Sequence, residues 1–154
     1  MEALQLPPDR RQSDMALAIR KGVCRVLRQH GFVAVPELAL PNGRRADLAA
    51  VGGKGEIWIV EIKSSVADFM VDRKWPSYRD HCDCLLFAVA PDFPQQILPD
   101  DAGLLVADAY GGALLRAAPE HRLAAPARKR MTLLLARAAA GRLHQALDPG
   151  IAET

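Results

Sequence analysis

The sequence predicts an α/β fold, a mixed β-sheet flanked by helices, on three observations. Three strand-like runs, "FVAVPELAL", "RADLAAV" and "EIWIVEIK", follow one another across two short turns, which predicts an antiparallel meander. A helical stretch then leads into "CLLFAVA", a short apolar run that reads as a buried strand. Strand, helix and strand at that spacing predict a right-handed crossover, with the fourth strand parallel to the third. Helical periodicity near both ends of the chain supplies covering layers.

The elements follow in order. Residues 1–12 are Pro-rich and charged and are expected to form a flexible N-terminal arm. From Ser13, with Ser13 or Asp14 as N-cap, Met15, Ala18, Ile19, Val23, Val26 and Leu27 recur at helical spacing, and Gly31 stands where a helix stop belongs. Arg20, Lys21, Arg25 and Arg28 decorate the polar side of this helix and read as a phosphate-facing stripe or, the favoured reading, as ordinary surface. "PNG" and "GGKG" join the three strands, and Pro36, which has no N–H for a ladder, predicts that the first strand is an edge. A helix is expected from about Val66 to Arg79, interrupted at Pro76, with Trp75 pushed out of helical geometry. After the fourth strand, "GLLVADAYGGALLRAA" predicts a further hairpin turning at Tyr110, Gly111 and Gly112. Pro126 opens a final helix whose leucines face either the sheet or a partner chain. The organisation expected is one domain over residues 13–147 and a C-terminal tail over 148–154.

Composition bounds the function. Half of the 154 residues are hydrophobic, a quarter are charged, and the formal net charge is +2, as in a soluble globular domain. The start of the chain lacks the pattern of a signal peptide, and no apolar run reaches membrane-spanning length, so no membrane partner is expected. Three cysteines, an odd number, argue against a disulfide framework and predict a cytoplasmic location. Cys82 and Cys84 read as plain thiols near the start of a strand, and the four scattered histidines show no metal spacing.

The stretch "IWIVEIKSS" carries the chemistry. Strand side chains alternate faces, so Ile57, Ile59, Glu61 and Lys63 share one face of an otherwise apolar strand. A carboxylate there costs several kcal/mol unless something compensates it. If the turn after the second strand holds an odd number of residues, Asp47 lies opposite Glu61. If "PNG" is a three-residue loop with Gly43 left-handed, Glu37 lies opposite Asp47. Such a row of carboxylates destabilises a sheet by itself and suits a hard divalent cation, Mg²⁺ or Mn²⁺. Asp47 and Glu61, with Glu37 as an extra carboxylate, are the expected metal ligands. Lys63 would steady an attacking water or the charge on phosphorus.

Asp47, a gap of fourteen positions, and then Glu61-Ile62-Lys63 at the end of an apolar strand resemble the PD-(D/E)XK nuclease superfamily. Its restriction-endonuclease-like core is helix, three-strand meander, helix and strand. Ala46 stands where the superfamily name has proline, a position at which that proline is often absent. Over nearly the whole chain, "PNGRRADLAAV", "IWIVEIKSSVADFMVDRKWPSYRDHCD", "FAVAPDFP" and "GLLVADAYG" are similar to the MmcB-type DNA repair proteins of bacteria. The resemblance implies a role in DNA repair and carries Asp47, Glu61 and Lys63 over as the catalytic set.

DNA is the expected partner. Arg44 and Arg45 flank the turn into Asp47 and suit a phosphate backbone, although a charged hairpin tip accounts for them equally well. Lys74 and Arg79 are candidates for phosphate contact, and Trp75 and Tyr78 for stacking on a base or sugar, against a reading in which Trp75 caps the core. Arg128, Lys129, Arg130, Arg137 and Arg142 make the final helix basic, suited to DNA, to a repair-pathway protein, or to solubility alone. A homodimer would fit the cutting of two strands. The leading expectation is metal-dependent hydrolysis of DNA phosphodiesters. The alternatives are a DNA-structure-binding or adaptor protein with little or no cleavage, and a generic α/β protein whose Glu61 and Lys63 form an exposed ion pair.

Overall fold

The structure is a computed structural model that describes residues 10–151. Most of the expected N-terminal arm and the last residues of the tail lie outside the described residues.

Helix α1 (Arg10–Gln29) leads into strands β1 (Phe32–Ala39), β2 (Arg45–Gly52) and β3 (Ile57–Ile62). Helix α2 (Val66–Val71) and a 3-10 helix (Trp75–His81) come next, followed by β4 (Cys84–Val89). A short 3-10 turn (Gln95–Ile97) links β4 to β5 (Gly103–Ala107); β6 (Gly112–Arg116) and α3 (Ala125–Leu147) complete the chain. All six strands form one sheet in sequence order. The β1–β2–β3 meander is antiparallel, β3–β4 and β4–β5 are parallel, and β6 returns antiparallel to β5. The mixed sheet, the edge position of β1 with Pro36 and the terminal hairpin are therefore as the sequence predicts.

Alternation along the strands builds two core layers. Leu48, Val60, Leu86 and Leu105 pack beneath Ile19, Val23, Val26 and Leu27 of α1. Phe32 stacks on Trp58 in this layer, with ring centroids 3.9 Å apart. On the other face, Ala49, Ile57, Ile59 and Leu85 meet Met131 and Leu135 of α3 and Tyr78 of the 3-10 helix. Phe87, Val89 and Leu104 extend that layer over Phe93 and Leu98. Gly22 lets α1 approach the β5–β6 turn closely, since a Cβ there would stand 2.0 Å from the Asp108 carbonyl oxygen.

The turns set the register. Gly43 adopts φ +82°, and Leu40 N–H donates to Arg44 O at 2.8 Å, closing a three-residue loop. Pro36 then pairs with Leu48 and Leu38 with Ala46, so Glu37 falls opposite Asp47. Leu48 pairs with Val60, and one step further along the ladder Asp47 falls opposite Glu61.

The crossover differs from expectation. The helix expected over 66–79 is two pieces. Ser65 caps α2 through its side-chain oxygen, but α2 stops at Val71 and Asp72 turns extended. The Asp72 carboxylate accepts the Lys74 N–H at 2.8 Å, a local bond that competes with helix continuation. Trp75 is not displaced from helical geometry; it opens the 3-10 helix, with Pro76 in the first turn, where a missing N–H does no harm. The first helix also starts three residues earlier than expected, at Arg10.

Candidate active site

The C-terminal end of β3 lies between β2 and β4 and beneath the 3-10 helix, and it gathers Glu61, Asp47, Lys63, Asp72 and Tyr78. Glu61 is 3 % exposed, and its Oε1 has no hydrogen-bond partner. Burial pushes its carboxyl up to about 10, helped by a hydrogen bond with Asp47 and by the charges of Asp47 and Asp72, against a smaller downward pull from Lys63. Without a cation, Glu61 therefore holds a proton at neutral pH. Asp47 is fixed from its other side, where Oδ2 accepts the Ile62 N–H at 2.8 Å.

Lys63 is 8 % exposed and does not serve as Glu61's ion-pair partner. Its N–H donates to Ala88 O at 3.0 Å, which ties the strand end to β4, and its Nζ reaches Asp72 Oδ2 at 2.5 Å. Burial raises the Asp72 carboxyl, but hydrogen bonds from Lys63 and from the Lys74 and Trp75 N–H groups outweigh it and hold the group below its ordinary value. An exposed Glu61–Lys63 pair is thus not what the chain forms.

Tyr78 is buried, and its hydroxyl donates to Arg45 O at 3.1 Å. Burial, then the charges of Glu61, Asp47 and Asp72, and a hydrogen bond with Glu61 keep the phenol protonated. The ring expected to stack on DNA is turned inward, because the 3-10 geometry aims it at the sheet beside the carboxylates. Trp75 packs edge-on against Phe87, with ring centroids 5.4 Å apart, and fills the space between two core clusters. Arg79 lies over the Trp75 ring and donates to Asp101 O at 2.9 Å. Lys74 and Arg45 are exposed and Arg44 is half-buried.

Glu37 reaches its register position with φ +50°, and its exposed side chain approaches Arg45 at 3.9 Å. Arg142 of α3 donates to both the Pro36 and the Glu37 carbonyls. Among the described residues no three acidic, His or Cys side chains are grouped to hold a metal ion. The geometry brings Asp47 and Glu61 together and leaves the Glu37 side chain outside the pair.

Sequence reasoning gave no role to two acidic residues. Asp72 stands only nine positions after Lys63, but its partner is visible only once the break after Val71 is known. Asp83 is 5 % exposed and receives the Ile57 and Leu123 N–H groups at 2.8 Å each, together with a two-point bond from Arg128 at 2.8 and 2.6 Å. Burial raises its carboxyl and these donors bring it below its ordinary value. A carboxylate wedged between Cys82 and Cys84 before an all-apolar strand was the available signal. Arg128, read as part of a basic surface, is instead a tie between α3 and the sheet.

The profile of the family described as "MmcB-like: DNA repair protein MmcB-like" matches residues 5–150. Among solved structures, the SPO1766 protein of unknown function from Silicibacter pomeroyi is similar, with 43 % sequence identity and a TM-score of 0.86 over 97 % of this chain and 98 % of that one. No curated protein matches the chain. Among the described residues no helix is long and apolar enough to cross a membrane.

Proposed function

The chain belongs to the MmcB-like DNA repair protein family, and from that premise we propose that it acts on DNA as a divalent-metal-dependent nuclease with its centre at Asp47, Glu61 and Lys63. The observation that carries this reading is the buried Glu61 Oε1, without a partner, beside a second carboxylate. A buried polar atom left unsatisfied costs about 1–3 kcal/mol, which a ligand would recover. Two carboxylates suit Mg²⁺ or Mn²⁺, which complete their oxygen shell with water and substrate phosphate.

A bound cation would supply Lewis acidity toward a phosphate oxygen and a more acidic water. Asp47, oriented by the Ile62 N–H, would hold it together with Glu61 once Glu61 has released its proton. Lys63, positioned by Asp72, would place an ammonium against the attacking water or the charge that develops on phosphorus. Arg44, Arg45 and Lys74 lie on the segments that lead into the centre and are the proposed phosphate contacts.

The test is cleavage of labelled single-stranded, duplex, flap, abasic and four-way-junction DNAs with Mg²⁺ or Mn²⁺, with Glu61→Ala purified in parallel. Metal-dependent cutting by the wild type alone supports the proposal. Equal cutting by Glu61→Ala sinks it. DNA binding without cutting by either protein transfers the reading to a DNA-structure-binding or adaptor role.

A further inference from the structure

Helix α3 has two apolar faces, and the sheet uses one. Met131 and Leu135 are buried against the sheet, and Leu134 and Ala138 pack beside them. Leu133, Ala136, Ala140, Leu143 and Leu147 recur at intervals of three and four residues on the opposite side. All five are exposed, with Leu133 at 58 %, Leu143 at 57 % and Leu147 at 75 %. This is the a/d spacing of a two-helix seam, about 21 Å long at the helical rise. At its N-terminal end the seam runs into a groove of about 680 Å³ lined by Leu123, Lys129, Thr132, Leu133 and Ala136.

Charge identifies the occupant. From His121 to Leu147 the sequence has six Lys and Arg residues and no acidic residue. Arg130, Arg137 and His144 follow one another along one flank of the seam, all exposed. An antiparallel second copy of the chain would bring like charges to that flank, and a parallel one would set the arginines against Thr132, Ala139 and Ala146, which offer them no carboxylate. DNA would neutralise the arginines but leave the leucines between them without apolar cover. We propose that the outward face of α3 docks an acidic amphipathic helix of a partner protein, with leucines in the seam and carboxylates against Arg130 and Arg137.

A labelled helical peptide with leucine at a and d and glutamate at e and g is titrated with the full chain, beside the same peptide carrying lysine instead of glutamate. The expected result is saturable binding of the acidic peptide alone, weakened about tenfold or more by Leu133→Gln/Leu143→Gln and by Arg130→Gln/Arg137→Gln. All four positions are exposed, and unchanged thermal melts of both variants are the control for folding. Absence of acidic-peptide binding, or binding that both variants retain, overturns the proposal. A dimer in sedimentation that dissolves in Leu133→Gln/Leu143→Gln also overturns it and assigns the face to a second copy. Loss of duplex-DNA binding in that leucine variant overturns it in favour of DNA. These readouts are independent of cleavage at Asp47 and Glu61.

Discussion

Asp72 holds Lys63: the carboxylate at the break between α2 and the 3-10 helix meets the ammonium from the end of β3 at 2.5 Å. The contact joins a strand end to a crossover segment, so it couples the position of the proposed catalytic lysine to the fold of the chain that follows it. Asp72→Asn keeps the shape and removes the charge. The expected outcome is a fall in kcat of about tenfold or more with KM little changed, since placement in the transition state is what is lost. Stability should fall by about 1–2 kcal/mol in urea unfolding. A purely structural Asp72 would lower stability and leave kcat untouched.

Glu61 opposes the fold as pH rises. Its carboxyl stands at about 10 in the folded chain against an ordinary value of 4.5. Its contribution is fully present below the ordinary value and is lost progressively as pH rises through the folded one. Glu61→Gln should therefore be more stable than the wild type at pH 8, by about 1–3 kcal/mol, with the difference shrinking toward pH 4. Mn²⁺ should raise the Tm of the wild type and not of Glu61→Gln. Calorimetry with and without the cation checks both, and a Tm that ignores Mn²⁺ in the wild type counts against metal binding.

Asp83 and Arg128 hold the start of α3 on the sheet. Asp83→Ala leaves two backbone N–H groups without their acceptor and the Arg128 guanidinium with only the Gly55 carbonyl, and should cost about 1–3 kcal/mol. Hydrogen exchange should rise first in α3 and at Ile57. The Asp83 carboxyl is held below its ordinary value, so its contribution is present above that value and is lost as pH falls through the lowered one. Acid unfolding of the wild type should include this loss and that of Asp83→Asn should not.

Gly22→Ala tests the approach of α1 to the hairpin. The added methyl would meet the Asp108 and Gly111 carbonyl oxygens. Overpacking of this kind should lower stability by about 1–3 kcal/mol, against the gain that alanine usually brings to a helix. A stabilised variant would show that the helix can shift at no cost.

Much of the centre was legible in the sequence because it is set by local rules. Period-two alternation assigned Glu61 to a face, and two glycine-bearing turns determined which residues of β1, β2 and β3 stand opposite one another. The crossover was less legible, because a side-chain bond from Asp72 to its own backbone competes with helix propensity that looks continuous to Arg79. Glu37 shows the limit of register. It stands opposite Asp47 as the turns require, but its left-handed φ and Arg45 take the side chain elsewhere.

By itself, the sequence determined the strand order of the meander, the edge position of β1 and the extent of α3, and it narrowed the register of Asp47 against Glu61 to the length of one turn. These follow from turn chemistry and hydrophobic period, which act over a few residues. Only the tertiary structure decided that Lys63 pairs with Asp72, that Tyr78 points inward, that Arg128 belongs to Asp83, and which leucines of α3 remain uncovered. Each of those depends on where segments far apart in the chain come to rest. Burial and charge pairing are properties of the assembled neighbourhood, so no short stretch of residues carries them alone.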